Sequence, residues 1–369
     1  MTDFRQFVPE HIRKLAESNP SKPLKQAGTG AKPIALNLNE NPFGPSPLAL
    51  AAIRKNLGEI NRYPEIQATD LHDAIAKFHG VKSDQVLVTA GATELLSIIA
   101  RALLAPGLNA ITSAKSFIVY KLATQLTEGR LIEVPTRNNG YDLDAIRNAI
   151  DANTRMVFLA NPNNPTGTLV TADELDHFVK HLPAQVLLVL DEAYGDFAAY
   201  FAKRRKMVYS RSLEYMAQNR SVIVLKTFSK AHGLAGLRVG NGIASAKLIS
   251  LFAPLRSIFS VSSVAQAAAS AALDDAKHVR HAVKNNAEQV ELLTVGLEEF
   301  GFAVSETWAN FLYCELGHDA SSFADRLRKH GIIVQPLELW GAPNAIRVSV
   351  GTPEQNAKLL KRLKTVRVR

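Results

Sequence analysis

Val186-Leu187-Leu188-Val189-Leu190-Asp191-Glu192-Ala193-Tyr194 is a run of five apolar residues that ends abruptly on two carboxylates. A strand with no polar face is buried on both sides, as in a parallel sheet covered by helices. An Asp at its end is expensive to bury unless a cation faces it. The pattern recurs outward from this stretch. Val86-Leu87-Val88 and residues 156–160 and 221–226 are further short apolar runs, and residues 69–78 and 93–104 between them carry the helical period. The fold class expected is α/β: a large domain with a mostly parallel sheet flanked by helices.

Beyond about residue 256 the pattern loosens. An Ala-rich helical stretch (263–273) and a charged amphipathic one (277–300) precede strand-like pieces at 309–314, 331–334 and 345–350. These read as a smaller α+β C-terminal domain. The chain divides into an N-terminal arm (1–34) with a short amphipathic helix at 9–16, a large domain (35–255) and a small domain (256–369).

In open α/β sheets the ligand sits beyond the carboxyl ends of the strands, so the residues after each strand carry the chemistry. After Val88 comes Thr89-Ala90-Gly91-Ala92-Thr93-Glu94, a Gly-containing turn that opens a helix and offers free N–H groups to a phosphate. After residue 160 comes Asn161-Pro162-Asn163-Asn164-Pro165-Thr166-Gly167, whose Asn-Pro steps make a rigid polar loop. Asp191 would face a protonated pyridine nitrogen, with Tyr194 close enough to bond a phenolic oxygen. After residue 226 comes Thr227-Phe228-Ser229-Lys230, followed by Gly233-Leu234-Ala235-Gly236-Leu237-Arg238-Val239-Gly240. Two hydroxyls, an amine and a Gly-flanked arginine suit an anionic cofactor. Gly236, Gly240 and Gly242 lack the spacing of a dinucleotide fingerprint. Each feature alone has a bland reading as a plain turn, a rigid loop or a strand-end Asp. Their succession, each after its own strand, makes the case.

The set Asn164-Pro165-Thr166-Gly167, Asp191-Glu192-Ala193-Tyr194, Ser229-Lys230 and Gly236-Leu237-Arg238-Val239-Gly240 resembles fold-type-I aminotransferases dependent on pyridoxal 5'-phosphate. Within them it resembles the histidinol-phosphate aminotransferase branch of histidine biosynthesis. The similarity opens on Asn37-Leu38-Asn39-Glu40-Asn41-Pro42-Phe43-Gly44-Pro45 and closes on Ile346-Arg347-Val348-Ser349-Val350-Gly351-Thr352. The resemblance implies a Schiff base on Lys230, whose freed amine then shuttles the substrate's Cα proton. Asp191 would keep the pyridine nitrogen protonated, and Asn164 and Tyr194 would bond the ring oxygen. Phe117 would stack on the ring. The amides of Ala92 and Thr93, the hydroxyls of Thr227 and Ser229, and Arg238 would hold the phosphate, joined by Tyr63 of the partner subunit in a homodimer with shared sites. Arg347, with Asn39 and Gln335, would bind substrate. His232, two residues beyond Lys230, is expected to pack beside the loop without a catalytic part.

Three departures from the branch bear on substrate. Ser18 stands where a Tyr is usual, and Gln335 where a phosphate-binding Arg is usual. Ser113-Ala114-Lys115-Ser116 lacks the usual Pro before Phe117, with Lys115 a candidate for compensation. Losing one charge-assisted partner costs on the order of 1.5–3 kcal/mol. An aromatic amino-acid aminotransferase is therefore the alternative, with a decarboxylase of a phosphorylated amino acid behind it. A regulator that binds the cofactor and docks on nucleic acid needs an added helix-turn-helix domain, for which the arm leaves no room.

The net charge of +9 comes from scattered Lys and Arg, with clusters only at Lys203-Arg204-Arg205-Lys206 and residues 361–369. Such clusters read as solvated faces, so no nucleic-acid partner is expected. The single cysteine, Cys314, reads as a small core residue. The N-terminus has no apolar segment of signal type and no run reaches 18 apolar residues, which implies a cytoplasmic enzyme without a membrane partner. No metal-ligand spacing is present.

Overall fold

The computed structural model describes residues 4–18 and 33–366. In the arm, the helix Glu10–Ser18 lies against the helix Ile118–Gln125, with His11 3.3 Å from Glu128. Asn19-Pro20-Ser21, the segment of the first departure, lies outside the described residues.

The strands in chain order are β1 (Ile34–Ala35), β2 (Val86–Thr89), β3 (Asn109–Ser113), β4 (Arg130–Val134), β5 (Thr154–Ala160), β6 (Leu187–Asp191), β7 (Val222–Thr227), β8 (Gly240–Ile243), β9 (Ala303–Val304), β10 (Phe311–Glu315), β11 (Ile332–Ile333), β12 (Gln335–Leu337) and β13 (Ala342–Ser349). Seven of them form one sheet in the order β2-β8-β7-β6-β5-β3-β4. It is parallel from β7 to β4, and only β8 runs against its neighbours.

The central strands have no polar face because both faces are covered. Met156, Phe158, Leu187 and Val189 point into one core with Leu95, Leu96, Ile98 and Ile99 of the helix Ala92–Leu103. Their neighbours Val157, Leu159, Leu188 and Leu190 point into another with Leu175, Phe178 and Val179 of the helix Ala172–Lys180. Such alternation across a pleated sheet is the period-2 geometry of strands. Three strands of this sheet escaped the sequence reading. β8 was seen only as part of a Gly run, yet its glycines seat the helix Ala92–Leu103. A Cβ on Gly240 would come within 2.9 Å of the Ala92 nitrogen, and one on Gly242 within 2.5 Å of Leu95. β3 and β4 are polar at their ends and lie at the sheet's margin.

The second sheet is antiparallel, in the order β12-β13-β10-β9. Leu312, Cys314, Ile346 and Val348 of this sheet share a core with Phe323 and Leu327 of the helix Ala320–Lys329 and with Leu293 of the helix Ala276–Glu298. Cys314 is fully buried there, and burial alone pushes its thiol pKa up. The piece read as a strand at 331–334 is β11, which pairs in parallel with β1; β12, just beyond it, was not expected and joins β13. The helix Ser263–Leu273 forms as expected and packs on the helices Pro47–Asn56 and Thr69–His79 through its buried alanines.

No helix among the described residues is long and apolar enough to cross a membrane.

Candidate active site

The cavity beyond the carboxyl ends of β2, β5, β6 and β7 has a volume of ≈ 470 Å³. Lys230, Asp191, Tyr194, Asn164, Phe117, Ala92, Thr93, Thr227, Ser229 and Arg238 all line it, as do Asn39, Gln335 and Arg347. Residues spread from position 39 to 347 thus meet in one place. Tyr63 does not line it. Its side chain is 82% exposed and stacks on Phe259, ring centroids 4.5 Å apart.

One end of the cavity is built for an anion. Gly91 caps the helix Ala92–Leu103 with φ 81, and a Cβ there would lie 2.7 Å from Arg238 Nη2. The guanidinium therefore sits against the helix N-terminus, where free N–H groups and the positive dipole end already favour negative charge. Arg238 itself takes a left-handed conformation (φ 52) that turns it back, and its Nη1 donates to the Ala235 carbonyl at 2.9 Å. Thr227 Oγ1 donates to Ser229 Oγ at 3.0 Å and accepts from the Ser229 N–H at 3.1 Å.

The opposite end is built for a cation. Asp191 is buried, its Oδ1 accepting from the Ala193 N–H at 3.0 Å and its Oδ2 from the Tyr120 hydroxyl at 3.0 Å. Both donors are neutral. Burial consequently raises the Asp191 pKa, although these two hydrogen bonds oppose the rise. Tyr120 is a functional residue that sequence reasoning missed. It is fully buried one helical turn beyond Phe117, and its ring stacks on Phe158 at 4.7 Å.

The amine of Lys230 is near enough to both Arg238 and Asp191 for their charges to act on it. Lys230 Nζ donates to the Leu38 carbonyl at 3.0 Å. Burial, then the charges of Arg347 and Arg238, pull its pKa down to about 8 against the opposing pull of Glu40 and Asp191. A usable fraction is thereby unprotonated near neutral pH. Tyr194 accepts from Asn39 Nδ2 at 2.9 Å, which leaves the phenol's own proton to donate.

Arg347 is 5% exposed, and no carboxylate among the described residues pairs with it. Nη2 donates to the Asn37 carbonyl at 2.7 Å and Nη1 to Asn164 Oδ1. The second bond fixes the Asn164 amide so that its nitrogen is left for a ligand oxygen. The guanidinium carbon lies 5.4 Å from the Phe311 ring centre and 5.8 Å from that of Trp340, while Nε has no partner. Trp340 lines the cavity too, as do Glu40 and Leu38. None of these three was expected from the sequence. Gln335 faces Arg347 across the β12–β13 ladder, but its amide nitrogen folds back to the Pro336 carbonyl at 3.0 Å.

Lys115 does not replace the missing Arg. Its Nζ donates to Asn139 Oδ1 at 3.1 Å and the Tyr313 hydroxyl at 3.3 Å, and pairs with Glu315 at 3.5 Å. It ties the large sheet's edge to β10. His232 is buried and tilted against Phe228, ring centroids 5.1 Å apart, outside the cavity.

A family model described as aminotransferase class I and II matches residues 31–363. The chain belongs to this family. It is 38% identical to histidinol-phosphate aminotransferase 2 of Pseudomonas fluorescens over all of this chain and 99% of that one. It is 40% identical to the protein of the same name in Pseudomonas aeruginosa, over 98% of each. Among solved structures, that of histidinol-phosphate aminotransferase from Sinorhizobium meliloti, in complex with pyridoxal-5'-phosphate, superposes with a TM-score of 0.84. It is 28% identical and covers 99% of this chain and 97% of that one.

This aminotransferase uses pyridoxal 5'-phosphate, and the cavity has the donors the cofactor requires. A buried carboxylate with no ion-pair partner among the described residues suits a pyridinium nitrogen. Two amides, two hydroxyls and a guanidinium suit a phosphate dianion, and an amine of lowered pKa lines the same cavity.

Proposed function

We propose that this transaminase takes the amino group of histidinol phosphate, holding the substrate's anionic group on Arg347, and passes it to 2-oxoglutarate. The carrying observation is Arg347, a buried guanidinium whose charge no carboxylate among the described residues neutralises. Leaving such a charge without an anion is costly, and a bound phosphate or carboxylate relieves it. The full-length relatives support histidinol phosphate, and with it histidine biosynthesis in the cytoplasm.

When bound, pyridoxal 5'-phosphate supplies an electron sink that stabilises negative charge at the substrate's Cα. The chain supplies the rest. Arg238, Thr227, Ser229 and the amides of Ala92 and Thr93 anchor the phosphate, and Phe117 covers the ring face. Asp191 holds a proton on the ring nitrogen, with Tyr120 fixing its carboxylate. The Tyr194 hydroxyl and the Asn164 amide donate to the ring oxygen. Lys230 would attach the cofactor in the resting state, and its freed Nζ would take up and release the proton of the substrate's Cα. Asn39, hydrogen-bonded to both Tyr194 and Ser349, joins the cofactor side to the strand that carries Arg347.

Gln335 and Trp340 favour a second reading, an aromatic amino-acid donor, since they set a neutral amide and an indole beside the Arg347 guanidinium. A donor panel decides between the two. Histidinol phosphate, histidine, phenylalanine and tyrosine are each added to the cofactor-loaded enzyme, and conversion of the cofactor's absorption band is timed. Fastest conversion by histidinol phosphate supports the first reading, and by phenylalanine or tyrosine the second. Under either, Arg347→Gln is expected to lower kcat/KM by about 100-fold through loss of charge-assisted hydrogen bonds, measured by the same assay.

The proposal includes a homodimer. Tyr63 stacks on Phe259, and Ile60, Ile66 and Ile258, close to these two in sequence, are exposed as well; exposed apolar side chains of this kind mark a protein interface where they are contiguous. Tyr63 of the partner subunit would complete the phosphate site. Sedimentation is expected to give twice the 40.2 kDa chain mass, and Tyr63→Phe to weaken cofactor binding by about tenfold, read by equilibrium dialysis. The division into arm, large domain (35–255) and small domain (256–369) completes the reading.

A further inference from the structure

We propose that Asn41 and His278 are positioning residues for Lys230, holding the turn that carries it through the Ala231 carbonyl, and that His278 serves only as a neutral imidazole. The proposal rests on the reading above, in which Lys230 is the reactive amine.

Lys230 leaves the end of β7 on a tight turn closed by the Gly233 N–H on the Lys230 carbonyl at 3.0 Å. No helix or sheet ladder holds this turn. The segment from Leu38 to Ser46 holds it instead. Asn41 Nδ2 donates to the Ala231 carbonyl at 2.8 Å, and Ala231 is fully buried. Gly233, with φ 73, presses so closely on Gly44 that a Cβ would lie 2.1 Å from the Gly44 carbonyl oxygen.

The orientation of the Asn41 amide is set by its surroundings. Its Oδ1 accepts from the Phe43 N–H at 3.0 Å, so both protons on Nδ2 point the other way. One goes to the Ala231 carbonyl and the other to His278 Nε2 at 3.3 Å. For that bond Nε2 must be the bare nitrogen of a neutral ring. His278 is in the first turn of the helix Ala276–Glu298, and Asp275 caps this turn by accepting from the His278 N–H at 3.2 Å and from Ser46 Oγ at 2.6 Å. The loop is thus fastened to the helix at Asn41 and again at Ser46, and Phe43 packs on His281 with ring centroids 4.2 Å apart.

The ionisable groups around the His278 ring are Asp275 and His281 on its own helix and His232 on the Lys230 turn. From the 38–46 segment the ring meets only Asn41 and the Gly44 carbonyl, to which it donates. Burial lowers its pKa, Asp275 and the Gly44 bond oppose, and His281 lowers it further. Protonation would set N–H against N–H at Asn41 and release the Ala231 carbonyl's donor. Displacement of a reacting group by a fraction of an ångström to 1 Å is felt in turnover rather than in binding.

Asn41→Ala, His278→Ala and His278→Gln test this, the Gln retaining an acceptor oxygen that does not titrate. Both Ala variants are expected to lower kcat by about ten- to 100-fold with KM for the donor within about twofold of wild type. They should also change, by a similar factor, the rate at which an amine-directed acylating reagent labels Lys230 in the cofactor-free protein, read by peptide mapping. His278→Gln should restore kcat to within about threefold of wild type. Folded Ala variants with wild-type kcat and wild-type Lys230 labelling would overturn the proposal, as would a folded His278→Gln variant as slow as His278→Ala. If instead wild-type protein fails to transaminate, the proposed function falls, while the labelling rates still report on the turn.

Discussion

Replacing Lys230 by Ala is expected to reduce transamination by about 10,000-fold or more, the upper range of what a positioned acid–base group contributes. Two functions vanish together, attachment of the cofactor and transfer of the Cα proton, and no other amine among the described residues lines the cavity to assume either. The variant should still bind the cofactor, since Arg238, Thr227, Ser229 and the helix N-terminus are untouched. Borohydride should fix the cofactor permanently to wild-type protein and not to the variant. A variant that retained even a hundredth of wild-type turnover would show that the amine had been misassigned.

Removing the Lys230 amine also has a stability effect with a definite sign. The Lys230 pKa is about 8 in the folded protein, against an ordinary value of about 10.4 in an unfolded chain. Its contribution to stability is fully present above the unfolded value and is lost as the pH falls through about 8. Near neutral pH the charged, buried amine therefore works against folding. Lys230→Met, an apolar side chain of similar length, should raise the melting temperature of the cofactor-free protein at neutral pH, with the gain shrinking toward pH of about 10.

The strand ends were legible because their chemistry is local. Apolar runs such as Leu187–Asp191 are buried on both faces, so they stand out against their polar flanks, and the ligand-facing residue follows at a known place. The Ala-rich helix at Ser263–Leu273 was legible for the same reason. What stayed hidden is what sequence distance hides. Tyr120 reaches Asp191 across 71 positions, and Asn39 meets Ser349 across 310. Nothing near Tyr120 in the sequence marks its hydroxyl as a partner for a distant carboxylate. β8 was hidden by composition, since Gly-Asn-Gly-Ile lacks the side chains that identify a strand; its glycines serve the close approach of a helix. Trp340 was passed over because it lies in a short turn after β12, and only the antiparallel return of β13 swings that turn over Arg347.

Asp191→Asn is expected to lower kcat by about 1,000-fold, as when a fixed charge facing the reaction centre is removed, while leaving the fold intact. The amide oxygen can still accept from the Ala193 N–H, and the amide nitrogen can donate to the Tyr120 hydroxyl, which then serves as acceptor. Geometry is preserved and only charge is lost. Since burial raises the folded pKa of Asp191, its stabilising contribution is full below the unfolded carboxyl range and is lost as pH rises through the folded value. At neutral pH the ionised carboxylate is thus a liability until a cation faces it, and a protonated ring nitrogen is that cation. The cofactor-free Asn variant should melt at or above the wild-type temperature, but pyridoxal 5'-phosphate should raise its melting temperature less than it raises that of wild type. Ligand stabilisation scales with affinity, so the difference between the two shifts isolates the Asp191 contact. Equal shifts, with turnover within about tenfold of wild type, would mean that the carboxylate serves the fold through Tyr120 and Ala193 rather than the cofactor.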